Sequence, residues 1–225
     1  MKRIILLLAI ILTYSCTNNS ASFSLKEDVV LNDYYTQKEI VTLEELIRYA
    51  DDAMLKVTGE KDIVTAYRSY FATYSAAWNE KNGRMDSKPP IPEQEKYAFL
   101  KSLNPDVIGS IWRFNQSHKL IYDKRSDTTF VNFTGITTLD EVMYGSFTEY
   151  LKELGEGDEY YKEYSKSLEQ MGALPAAIAI YYARNNRKFD LEVPHNRLFA
   201  AIFVIGIEDN IYTKLDRYYE TTKND

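Results

Sequence analysis

The chain holds one cysteine, Cys16, in 225 residues. A lone cysteine excludes an intramolecular disulfide, so packing alone must hold the fold. Histidine is scarce too: His118 and His195 are the only two. No His-x-x-x-His or Cys-x-x-Cys pair occurs, and a metal site needs three or four ligands at fixed geometry. Glu192-x-x-His195 has the spacing of a helical pair, but Pro194 lies between its members, so it reads as a surface histidine at a helix start. Glycine numbers nine. The one near-match to a dinucleotide loop, Gly155-x-Gly157-x-x-Tyr160, lacks its third glycine and follows a helical pattern instead of a strand. Positive charge is in deficit, with 27 Lys and Arg against 33 Asp and Glu, a net −6. That balance speaks against nucleic acid or an anionic membrane surface as a partner. Long apolar runs are missing. Residues 4–12 form the first run and 198–205 the next, both short of the roughly 20 residues that cross a bilayer.

The beginning of the chain carries a targeting pattern. Lys2 and Arg3 precede the apolar run 4–12, and Thr13, Tyr14, Ser15 and Cys16 follow it. A charged segment, a short apolar segment and small residues in sequence read as a secretory signal peptide, residues 1–15. Ser15 and Cys16 fit the end of a lipobox, while Thr13 and Tyr14 depart from its usual form. The segment resembles the signal of bacterial lipoproteins, in the looser form of Bacteroidetes-like members. The resemblance covers only this segment and says nothing of the mature domain. It implies a lipid on Cys16, hence a palmitate-type anchor to the outer membrane. The other reading is ordinary signal cleavage after Ser15, which would leave Cys16 as a free thiol. Residues 17–24 are small and polar, so residues 16–27 are expected to be the lipidated cysteine and a flexible tether. No acidic cluster follows Cys16 directly, which favours the periplasmic side over surface display.

Removing residues 1–15 leaves 210 residues with 25 basic and 33 acidic side chains, a net −8. Residues 28–225 are expected to form one domain, with a sub-boundary in the loop 82–92 that holds Pro89, Pro90 and Pro92. The apolar spacing predicts a mainly α fold of about seven helices and one small β-hairpin. Helices are expected over 42–57 behind a Thr42-x-x-Glu45 capping box, 60–80, 92–103, 105–114, 138–154 behind Thr138-x-x-Glu141, 158–171, 174–185 and 195–219. Residues 198–207 are apolar all round and read as a central helix, with a buried strand over 202–207 as the competing reading. The hairpin is expected from 119–122 and 128–133.

No motif names a chemistry. Gly-x-Ser-x-Gly and Ser-x-x-Lys are absent. The acidic neighbours Glu44/Glu45, Asp51/Asp52 and Glu208/Asp209 read as solvated helix faces. The stripe Tyr67, Tyr70, Tyr74 and Trp78 reads first as core and second as a stacking surface. A basic cluster of Arg184, Arg187, Lys188, His195 and Arg197 stands out in an acidic chain. The helix dipole explains part of it. The rest is a candidate site for a carboxylate, a phosphate or an acidic partner. The expected role is a non-enzymatic protein-binding module at the envelope, either neutralising a toxin or serving an assembly. A glycan or peptidoglycan hydrolase and a small-anion-binding lipoprotein are the alternatives. Neither a cofactor nor a metal is expected.

Overall fold

The computed structural model describes residues 23–79, 84–85, 88–116, 119–133, 135–172 and 176–222. The mainly α class holds. Among the described residues there are ten α-helices and three two-stranded antiparallel pairs. Two of the additional helices arise from a short N-terminal turn and from a break in the last long helix.

Phe23 already packs against the core, ahead of the expected boundary at residue 28. Leu25 is fully buried, and its N–H donates to Glu44 Oε1 at 3.0 Å. Helix α1, Val29–Tyr34, is capped by Asp28, and helix α2 runs from Gln37–Thr58. The capping box of α2 is Thr36 with Glu39, not Thr42 with Glu45. Both pairs fit the pattern. The earlier one wins because it adds a turn that buries Ile40, and Thr42 then sits inside the helix against the core. Helix α3, Ile63–Ala76, is shorter than expected and is followed by the small pair β1, Trp78–Asn79, and β2, Arg84–Met85. Residues 82, 83, 86 and 87 of the 82–92 loop lie outside the described residues. One hydrophobic cluster contains residues from both sides of it, including Ile91.

Helices α4, Glu93–Ser102, and α5, Pro105–Ile111, follow. Helix α5 opens as expected, with Asn104 as cap and proline in its first turn. It stops one residue before Trp112, and Trp112–Gln116 forms strand β3 instead of more helix. The cause is its partner. Strand β6, Thr137–Glu141, pairs with it antiparallel, Trp112 opposite Glu141. Thr138-x-x-Glu141 is therefore strand and not a capping box. Helix α6 begins later, as Ser146–Leu154. Between β3 and β6 lie β4, Lys119–Asp123, and β5, Thr128–Phe133, the expected hairpin. The two ladders lie along one ribbon with a register slip. Gln116 pairs with Thr137, and that register would put Ile121 opposite position 132, but its partner is Phe130.

Helix α7, Glu159–Met171, packs on α6, and α8, Ala176–Asn185, packs on α3. A single 3-10 turn, Asn186–Lys188, continues from α8. Helix α9, Pro194–Gly206, is the centre of the molecule, buried from Asn196 through Ile205. The strand reading of 202–207 fails, because residues 202–206 are the end of this helix. The Phe199 ring is bracketed by Tyr160, Tyr161, Tyr164 and Tyr182, all edge-on with centroids 4.9 to 5.6 Å away. Such arrangements gain about 0.5–1.5 kcal/mol per pair beyond area burial. Nine tyrosines are buried among the described residues.

The expected 195–219 helix is broken at residues 207–210, and Ile211–Thr222 is a separate helix, α10. Asn210 caps α10, its Oδ1 accepting from the N–H groups of Tyr212 and Thr213 at 3.0 Å each. Helix α10 leaves the main core. Its Leu215 joins a second small cluster with Ile121 and Ile136, flanked by Phe130, Tyr212, Tyr218 and Tyr219. The ribbon tip, marginal on its own, is stabilised by this helix.

Candidate binding groove and a buried charged seam

The structure divides the basic cluster. Arg197, in the first turn of α9, points inward and is 5% exposed. Its Nε donates to Asp51 Oδ1 at 3.0 Å and its Nη2 to Asp51 Oδ2 at 2.7 Å. The guanidinium also lies 5.6 Å from the Tyr67 ring centroid and 5.4 Å from that of Phe23. It is a core ion pair and is removed from any surface site. Asp51 is thereby not on a solvated face, as its sequence context had suggested. His195 is half-buried, edge-on to Tyr161 at 5.9 Å. Burial lowers its pKa from the ordinary value. Glu192 is exposed, and among the described residues no group of three or more His, Cys, Asp or Glu is placed to hold a metal. Cys16 and His118 lie outside the described residues.

Arg184, Arg187 and Lys188 stay on the surface. There Arg184 meets the far end of the aromatic stripe. Tyr67, Tyr70 and Tyr74 are core, as the helical spacing implied. Trp78, just beyond α3, is half-buried and lines an open groove with Ile180, Tyr181, Arg184 and Asn185 of α8. The groove has a volume of about 310 Å³. Ile180, Tyr181, Arg184 and Asn185 share one helix face because residues four apart are neighbours. Tyr181 is 49% exposed, and its ring stacks on Tyr160 with centroids 6.0 Å apart and planes 15° from parallel. The Lys188 ammonium lies 5.7 Å from the Tyr181 centroid. The groove is a preformed aromatic surface edged by cations. Sequence reading found its two halves separately and had no means of joining them.

A second feature was missed. Helix α4, strand β6 and the start of α10 meet in a seam of six charges, of which Glu93, Lys96 and Lys214 are buried and Glu208, Asp209 and Arg217 partly so. Lys214 Nζ lies 2.9 Å from Glu93 Oε1 and 3.2 Å from Glu208 Oε1. Arg217 pairs with both Glu93 and Asp209. Lys96 is fully buried, and its Nζ donates to the Ile207 carbonyl at 2.7 Å. Burial pushes the Lys96 pKa down to about 8, while Glu208 and Glu93 act in the opposite direction.

The seam also completes a sheet edge. The Leu139 N–H of β6 donates to Glu208 Oε1 at 3.1 Å, and the Thr137 carbonyl accepts from Lys214 Nζ at 3.0 Å. The Tyr97 hydroxyl donates to Glu208 as well. Side chains thus occupy positions that a third strand would fill, which protects the edge from outside pairing. The seam also explains the helix break, since its partners engage residues 207–209. Glu208 and Asp209 are therefore paired and largely buried, not solvated. A signal was present in the sequence. Glu93, Lys96 and Leu100 fall on one helix face, so two charges sit where the period calls for core.

No protein-family model, curated protein or solved structure matches this chain.

Proposed function

We propose that the chain is exported, carries a lipid on Cys16 and acts as a non-enzymatic protein-binding module at the cell envelope. The outer membrane, on its periplasmic side, is the proposed location. The anchor rests on the sequence of residues 1–16. Consistent with a lipid anchor, no helix among the described residues is long and apolar enough to cross a membrane.

One observation carries the binding role. Trp78 and Tyr181 converge with Arg184 in one open groove. Trp, Tyr and Arg are the residues that dominate protein interfaces, because each offers a large contact area with a polar handle. The groove is open, which suits the side chains of a protein surface. The carboxylates of the seam, by contrast, are engaged by Lys214 and Arg217. Toxin neutralisation and service to an envelope assembly are two forms of the same role.

The test is site-specific photocrosslinking in cells. A photoreactive residue at position 181 is expected to trap one dominant protein, and the same residue at the exposed Val57 is expected not to. Equal adducts at both positions, or none at 181, would refute the binding role. The anchor is tested separately by uptake of labelled palmitate, expected in the wild type and lost in Cys16→Ser.

A further inference from the structure

We propose that the partner docks through an acidic segment that places an apolar side chain in the groove between Trp78, Ile180 and Tyr181. Its carboxylates then meet Arg187 and Lys188. This rests on the reading above that the groove binds protein, and it adds the chemistry of the bound segment.

Charge supplies the first argument. Arg187 and Lys188 are exposed, and among the described residues neither has a carboxylate within ion-pair distance. The exposed lysines of α6 and α7 behave differently. Lys152, Lys162 and Lys166 each pair with a glutamate on their own or the adjacent helix. The nearest acid in sequence to Lys188 is Asp190, and it accepts the Glu192 N–H in its own turn at 3.0 Å. In a chain of net −6, this cationic edge is a local inversion of sign. An anionic segment is attracted here and repelled by most of the remaining surface, so charge both steers and selects.

The lining supplies the second. Trp78, Ile180 and Tyr181 provide apolar surface, and the polar members are Arg184 and Asn185. One N–H of the Asn185 amide is already used, its Nδ2 donating to the Tyr181 carbonyl at 2.9 Å. A sugar ring would bring several hydroxyls to a wall with few groups to pair them, and unpaired buried hydroxyls are costly. A leucine or phenylalanine side chain flanked by carboxylates leaves nothing unpaired. Arg187 also offers the planar donor fork that matches a carboxylate at two points. Finally, Tyr181 is held from behind by Tyr160, so docking orders little that is not already ordered.

The experiment is selection of random peptides displayed on phage against the purified protein. Enriched peptides are expected to be acidic with one apolar or aromatic anchor. Their binding is expected to fall about tenfold or more in Arg187→Glu/Lys188→Glu, and to weaken as salt is raised. All the substituted side chains are exposed, and circular dichroism checks that the fold is kept. If the enriched peptides are neutral, lose binding in Tyr181→Ala and ignore the charge reversal, the acidic segment is wrong and the groove stands. If neither variant changes binding, both readings fall. Tighter, groove-dependent binding of an oligogalacturonate than of any peptide would overturn the proposal in favour of an acidic glycan.

Discussion

The Arg197 guanidinium and the Asp51 carboxylate face each other through two hydrogen bonds, 3.0 and 2.7 Å long, between helices α9 and α2. With side-chain exposures of 7% and 19%, the pair is largely shielded from water. Removing one partner leaves the other charge buried. Asp51→Ala is therefore expected to cost about 3 kcal/mol or more. The double replacement Asp51→Leu/Arg197→Met is expected to be far milder than the sum of its parts. Urea unfolding of the single and double variants reads this directly.

Lys96 gives stability an alkaline dependence. Its pKa is about 8 in the fold against 10.5 ordinarily, because burial disfavours the charge. Between those values the unfolded chain holds a proton that the folded chain has released. Stability from this group is therefore present above the ordinary value and lost as pH falls through about 8. The groups acting on Lys96 are Glu208, Glu93, Lys214 and Asp209. Buried tyrosines such as Tyr67 and Tyr164 have pKa values raised by burial and work the other way above pH 10. Urea midpoints are expected to climb from pH 8, by about 1–3 kcal/mol in stability, and to turn over above pH 10. Lys96→Met is expected to lose the climb. A flat wild-type profile over that window would contradict the burial of a titrating Lys96.

Two buried tyrosines predict opposite outcomes for the same change. The Tyr161 hydroxyl donates to Asn196 Oδ1 at 2.5 Å. Tyr161→Phe leaves that oxygen without its donor and is expected to cost about 1–3 kcal/mol. The Tyr182 hydroxyl has no hydrogen-bond partner among the described residues. Tyr182→Phe is expected to be neutral or stabilising by about 1 kcal/mol. Thermal unfolding of the two variants side by side decides it.

Gly155 and Gly59 test two different uses of glycine. At Gly155, between α6 and α7, a Cβ would lie 2.7 Å from Lys162 Cα and 2.8 Å from its nitrogen. Both are backbone atoms, so Gly155→Ala must push the helices apart, at an expected cost of about 2–3 kcal/mol. At Gly59 the space is open, but φ is +73°. Gly59→Ala is expected to cost about 1 kcal/mol from backbone strain alone, and Gly59→Asn less. Equal losses for Gly155→Ala and Gly59→Ala in urea would mean that helix spacing at Gly155 is not constrained.

Much of the helical pattern was legible because it is local. Asn104 and Pro105 open α5, Asp158 and Gly172 bound α7, and Gly59 ends α2, all through caps that act within one turn. The errors came where a distant partner outweighed a local signal. Thr138-x-x-Glu141 is a sound capping box in isolation. In the fold, Trp112 stands opposite Glu141, and the Glu141 carboxylate accepts from the Tyr164 hydroxyl at 2.7 Å. The long final helix failed for the same reason, since Glu93 and Lys96 engage residues 207–209 from far back in the chain.

The sequence by itself determined the helical class, the all-apolar central helix and the core role of Tyr67, Tyr70 and Tyr74. Each follows from periodicity, which is a property of neighbouring residues. Only the tertiary structure decided which charges are buried. It placed Arg197 against Asp51, closed Glu93, Lys96, Glu208 and Lys214 into one seam, and set Trp78 beside Arg184. Arg197–Asp51, Lys214–Glu93 and Trp78–Arg184 each join residues more than 100 positions apart, and their energies depend on burial and distance. Neither quantity is written in the order of the residues.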